Sequence, residues 1–177
     1  MLTSFSKITG NEIIFGDENA AHSIIVYFDY NCDFCKKFFR ESYPSLNEQY
    51  IKPGRVKLVL KLVCNNTDIF ALKAYLTAIC VNKFGNYKKL HQLLMHKSEI
   101  IYTEHFSELI DELIYANDAI AGCILNNEYN PVKESNLQLQ KLKTYGTPTF
   151  IINNSVVAGY IDFSSLQKVL KKEYSLN

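Results

Sequence analysis

Residues 23–39 read SIIVYFDYNCDFCKKFF, and the order of chemistry along them decides the fold. The first six, SIIVYF, are a β-branched and aromatic run of strand length. From Asp33 onward, Phe34, Phe38, Phe39, Tyr43 and Leu46 recur at helical spacing. Residues 33–50 are therefore expected to form a helix that Pro44 bends or interrupts. Lys52-Pro53-Gly54 makes a turn, and residues 55–63 (RVKLVLKLV) alternate with period two as a second strand. Strand, helix, strand in that order suggests a βαβ unit.

The next stretch changes character. Residues 68–83 place Ile69, Leu72, Tyr75, Leu76 and Ile79 on one helical face. Further helices are expected over 87–95, over 103–115 behind a Thr103 cap, over 117–125, and over 131–144 with Pro131 at the first position. Strands return with Thr149-Phe150-Ile151-Ile152, an Asn153-Asn154 turn and residues 156–158, a hairpin signal because Asn tolerates positive φ. Asp162 or Ser164 can cap a last helix running to about Tyr174. The order βαβ, helices, ββα describes an α/β fold: a mixed sheet interrupted by a helical insert.

Composition narrows the function classes. The chain has 177 residues, 47% hydrophobic and 21% charged, which suits one soluble domain carrying an insertion and excludes disorder. Lys+Arg 19 against Asp+Glu 18 leaves a net charge of +1, so there is no electrostatic footprint for nucleic acid. The apolar runs are too short for a membrane span. Residues 1–10 (MLTSFSKITG) lack a positively charged region followed by a long apolar core. They do not read as a secretory signal, which leaves a cytosolic protein or a mature form whose signal has been removed.

The chemistry centres on Cys32-Asp33-Phe34-Cys35, directly after a strand and at the start of a helix. Backbone N–H groups at a helix N-terminus stabilise a thiolate, so Cys32 should ionise more readily than a free thiol. Cys35, one turn further in, should be more buried and close enough to form a disulfide with it. Two intervening residues is also a zinc-ligand spacing, but a closed site needs more ligands. There is no second such pair, and His91 and His96 have no supporting cluster, so no metal is expected. A C-x-x-C beside a βαβ pattern reads as redox-active. Gly146-Thr147-Pro148-Thr149-Phe150 adds a proline at a strand start, an ordinary loop proline by itself or a site for a cis peptide.

Together VYFDYNCDFCKKFF and YGTPTFIINN resemble the active-site and cis-proline segments of the DsbA-like thiol–disulfide oxidoreductases, and FGDENA resembles the approach to that family's first central strand. The resemblance covers nearly all of residues 12–174. It implies a thioredoxin fold with an inserted α-helical domain: residues 1–63 and 145–177 form a discontinuous thioredoxin-like domain, and residues 64–144 the insertion. It implies Cys32 and Cys35 as the catalytic pair, with Pro148 cis and facing their disulfide and the Thr147 backbone pairing with a substrate strand. Tyr30 and Phe34 flank the cysteines and are expected to form an apolar rim that binds unfolded polypeptide. No cofactor beyond the redox-active disulfide is implied. The partners would be unfolded or misfolded cysteine-containing proteins and a redox protein that recycles the disulfide, in the periplasm, with the signal peptide presumed removed.

Several residues depart from the family pattern. Many relatives carry an acidic residue six positions before the first cysteine, where this chain has Val26, so Asp29, Asp33 or solvent would have to relay protons. The strongest oxidants often have Pro-His between the cysteines; here Asp33-Phe34 stand there, and like-charge repulsion from Asp33 should raise the Cys32 pKa, partly offset by Lys36 and Lys37. A milder oxidant than the family prototype is expected. Thr147 resembles the isomerase and reductase branches, which keeps disulfide isomerisation as the alternative, possible as an oligomer through a missing N-terminal region. A binding module with a structural cysteine pair is the reading from another class. Of the other cysteines, Cys64, Cys80 and Cys123 read most simply as buried small hydrophobes, the alternative being a Cys80–Cys123 bridge that favours an oxidising compartment.

Overall fold

The computed structural model describes residues 8, 10, 12–125, 131–144 and 146–176. Residues 1–7 and Tyr145, the first residue of YGTPTFIINN, lie outside the described residues. The chain divides into two compact units, one of Met1–Lys61 with Leu137–Asn177 and one of Leu62–Asn136.

The first unit is built on a five-stranded sheet: β1 (Ile13–Phe15), β2 (His22–Phe28), β3 (Val56–Leu62), β4 (Thr149–Ile152) and β5 (Ser155–Ala158), in the order β1-β3-β2-β4-β5. β1 is antiparallel to β3 with Ile13 opposite Leu60, and β2 is antiparallel to β4 with Val26 opposite Phe150. The β4–β5 hairpin turns through Asn153 at φ 51°, the left-handed conformation that Asn accepts. Residues 24–28 of β2 are all buried, as expected for a continuous apolar run covered on both faces. β1 has no counterpart in the sequence reading, because three residues are too few to show a period.

The helix after β2 departs from expectation at Pro44. The chain stays helical through α1 (Asp33–Lys37), a π-helical segment (Phe38–Ser42), α2 (Tyr43–Leu46) and a second π-helical segment (Asn47–Ile51). Pro44 lies in the first turn of α2, where a missing N–H is tolerated, so it does not end the helix. The first π segment turns Phe38, Phe39 and Ser42 inward. Phe38 packs on Phe150 (ring centroids 4.9 Å apart), and Phe39 packs on Phe28 (5.2 Å) and Tyr43 (4.8 Å). This aromatic layer holds the start of the helix against the sheet.

The period-two reading of β3 also fails on the face that carries Lys57, where Val59 and Lys61 are both buried. Lys57 is half-buried, but the Lys61 side chain is only 2% exposed. Its Nζ lies 3.6 Å from the Glu12 carboxylate, itself 7% exposed, and donates to Gln138 Oε1 at 2.8 Å. The Tyr27 hydroxyl donates to the same oxygen at 3.2 Å. A buried lysine is thus paired and hydrogen-bonded, as it must be to stay in an apolar strand.

The second unit is helical: α3 (Ile69–Phe84), α4 (Tyr87–His96), a 3₁₀ turn (Ser98–Tyr102), α5 (Glu104–Ala116), α6 (Asp118–Leu125) and the start of α7 (Pro131–Lys141). Asp68 caps α3 by accepting from Ala71 N, and Thr103 is the N-cap of α5, its hydroxyl accepting from Phe106 N. α7 stops at Lys141 rather than Thr144 because Lys143 takes a left-handed backbone (φ 55°). Cys80 and Cys123 are joined in a disulfide between α3 and α6, so the simpler expectation of unbridged buried thiols is corrected for these two. Cys64 is not part of a disulfide. In the first unit, α8 (Phe163–Tyr174) is capped by Asp162, which accepts from Ser165 N.

Candidate active site

Cys32 occupies the N-cap position of α1, with extended backbone (φ −89°, ψ 117°), and its carbonyl accepts from Lys36 N at 3.1 Å. The loop leading to it is fixed by Asp29, whose carbonyl accepts from Cys32 N (3.1 Å) and whose Oδ1 accepts from Asn31 N (2.8 Å). The Cys32 sulfur is half-buried, whereas Cys35 is fully buried one turn along, and the two are free thiols here.

Their acidities are driven apart. A hydrogen bond from the Cys35 thiol brings the Cys32 pKa down to about 5, against the opposing effect of partial burial; the Thr147 side chain and the backbone N–H groups of Cys35 and Phe34 add to the lowering. Burial pushes the Cys35 thiol far above its ordinary value, and sharing its proton with Cys32 raises it further. The expected upward push from Asp33 does not decide the outcome, because Asp33 is exposed and its charge is screened by water, while the thiol hydrogen bonds act at contact distance.

Across from Cys32 stands the loop before β4. The Thr147–Pro148 peptide is cis, as the resemblance implies, and the Cys32 thiol donates to the Thr147 carbonyl at 3.1 Å. Thr149 Oγ1 donates to the Gly146 carbonyl at 2.9 Å, pinning the other side of the loop. Cys32, Cys35 and Thr147 are therefore brought together, with Pro148 beside them.

The two flanking aromatics separate. Phe34 is 59% exposed next to Cys32. Tyr30 is 0% exposed and packs edge-on against Phe28 (5.0 Å), so the expectation that it forms an apolar rim is corrected: its ring belongs to the core. Alternation could not separate the two, since Tyr30 lies in a loop. Val26 is buried opposite Phe150, and no carboxylate occupies that position.

Two features escaped the sequence reading. One is the buried Lys61–Glu12 pair, whose only sequence signal is a lysine inside an apolar strand. The other is the segment Gly159-Tyr160-Ile161 after β5. Gly159 N donates to the Pro148 carbonyl at 2.8 Å, and nothing in the composition of that segment signals it. Among the described residues no group of three or more His, Cys, Asp or Glu side chains is placed to hold a metal ion, and no helix is long and apolar enough to cross a membrane.

An acidic thiol at a helix start, a buried thiol one turn on and a cis-proline loop across from them sit on a sheet of mixed direction. The chain belongs to the thioredoxin family, whose model matches residues 8–172. Its similarity extends to proteins of the DsbA-like kind. It is 22% identical over 176 residues to disulfide bond formation protein D of Bacillus subtilis (strain 168), covering 94% of this chain and 78% of that protein. The crystal structure of Wolbachia pipientis alpha-DsbA1 shares its fold with a TM-score of 0.73 at 21% identity, over 99% of this chain and 96% of that one. Oxidised BdbD from Bacillus subtilis does so with a TM-score of 0.70 at 17% identity, over 94% of each chain.

Proposed function

We propose that the chain forms disulfides in cysteine-containing proteins as they fold, using Cys32 and Cys35 as its redox pair. A substrate thiolate attacks Cys32 Sγ of the Cys32–Cys35 disulfide; that S–S bond breaks, and Cys35 leaves and takes up a proton. A second substrate thiolate then attacks the substrate sulfur of the mixed disulfide and expels Cys32 as a thiolate. Two electrons pass from the substrate dithiol to the pair, and a separate redox partner removes them again. The observation that carries this direction is the Cys32 pKa of about 5, because a thiol this acidic is a good leaving group at neutral pH and stabilises the reduced enzyme. The Thr147 backbone beside Cys32 suits an extended substrate segment, and exposed Phe34 offers it an apolar contact. The Cys80–Cys123 disulfide supports an oxidising compartment such as the periplasm.

The test uses reduced, unfolded ribonuclease as substrate. The oxidised protein should transfer its disulfide with no other oxidant present, and Cys32→Ser should abolish the transfer. Cys35→Ser, offered a substrate disulfide, should accumulate a mixed disulfide through Cys32. Transfer by Cys32→Ser at the parent rate would defeat the reading. Thr147 before Pro148 favours the second reading, disulfide isomerisation. Faster recovery of scrambled than of reduced ribonuclease would select it.

A further inference from the structure

The geometry points to Gly159-Tyr160-Ile161 as a clamp that positions the Thr147–Pro148 loop against Cys32, with Tyr160 and Ser42 as its positioning residues. The inference rests on the proposal that Cys32 is the reacting sulfur, and extends it to residues that touch neither cysteine.

The segment is tied at both ends by short hydrogen bonds. At one end Gly159 N donates to the Pro148 carbonyl (2.8 Å), one residue from the Thr147 carbonyl that meets Cys32 Sγ. At the other, the buried Ser42 hydroxyl donates to the Ile161 carbonyl (2.8 Å). Ser42 lies on the same continuous helical run that begins with α1, turned inward by the π segment. Between these ties, Tyr160 lies along the helix surface. Its hydroxyl donates to Glu41 Oε2 (3.0 Å), and Lys37 Nζ sits 4.3 Å from its ring centroid. Glu41 is itself fixed by Arg40 Nη2 at 3.1 Å and approached by Lys37 at 3.9 Å.

Three successive residues thus connect the two halves of the candidate site, the helix that carries the cysteines and the loop that carries Pro148. A hydrogen bond is steeply sensitive to distance and angle, so both the Thr147 carbonyl that accepts from the Cys32 thiol and the Thr147 side chain that favours its thiolate act on Cys32 only as firmly as that loop is held. Loosening the clamp weakens those contacts first and leaves the Cys35 hydrogen bond, which is set within α1, in place.

The readout is the pH profile of Cys32 alkylation by iodoacetamide, followed by mass spectrometry on the reduced full chain. In Tyr160→Phe, which removes one surface hydroxyl and keeps the ring over Lys37, the midpoint should move by about half a pH unit, about a threefold change in thiolate at a fixed pH below it. Ser42→Ala should move it at least as far in the same direction. Tyr174→Phe is the control: the Tyr174 hydroxyl bonds the Ser23 carbonyl (2.6 Å) and Asn153 N (2.9 Å) within the same unit, away from the clamp. It should lower the melting temperature and leave the Cys32 profile unmoved. A Tyr160→Phe profile superimposed on the parent's overturns the clamp, whatever Ser42→Ala does. So does an equal shift in Tyr174→Phe, which would mean general loosening. A parent midpoint in the ordinary thiol range instead overturns the reading of Cys32 itself, and the clamp with it.

Discussion

Cys32 and Cys35 are the same side chain three positions apart, and their surroundings give them opposite chemistry. One sits where a helix begins and collects hydrogen bonds; the other is one turn deeper and collects none of water's. The sequence carried this contrast, since strand, C-x-x-C and helical spacing together place the first cysteine at a helix start. It did not carry the balance against Asp33, which depends on where that carboxylate points. Lys61 is the other residue whose environment decides its meaning. Breaking a buried ion pair by deleting one partner leaves the other charge uncompensated. Lys61→Ala should therefore destabilise the protein by about 3–5 kcal/mol in urea unfolding, while Lys61→Met together with Glu12→Gln should lose much less. Equal losses in the single and double variants would show that packing rather than charge holds the site.

At the scale of elements, the strongly periodic stretches were legible and the exceptions were not. The helices α3, α4, α5, α6 and α8 lie within a residue or two of their expected positions, because apolar spacing and capping side chains at Asp68, Thr103 and Asp162 act locally. The π segments around Pro44, the three-residue β1 and the inward Lys61 are set by tertiary packing, for which a local pattern carries no signal. α4 carries a pH dependence of its own. His91 lies 3.1 Å from the Tyr87 hydroxyl, and burial pulls its pKa from 6.5 down to about 4. The folded protein then keeps His91 neutral where the unfolded chain binds a proton. The unfolded state binds more protons between those two values, so stability falls as pH drops from 6.5 towards 4. Thermal melts across that window should show a loss of at most about 3 kcal/mol that His91→Gln flattens. Parallel pH curves for parent and variant would contradict it.

The whole molecule combines two units with different means of support. The sheet unit relies on its aromatic layer, and the helical unit carries a covalent tie. Closing the 43-residue separation between Cys80 and Cys123 restricts the unfolded chain by about 4 kcal/mol in the loop-entropy view, a large share of a domain's net stability. That bridge was one of two open readings in the sequence, since pairing depends on how α3 and α6 pack. The central claim concerns the other pair. A thiol of pKa about 5 lies between the values of about 7 for thioredoxin and about 3.5 for DsbA, so the disulfide it forms should have an intermediate oxidising strength. The most direct test is equilibration of the protein in graded glutathione buffers, with trapping and mass spectrometry of Cys32 and Cys35. A single two-electron transition joining both cysteines, with a midpoint between about −200 and about −120 mV, is the predicted result. Independent titration of the two thiols, or a midpoint as low as about −270 mV, would contradict the account.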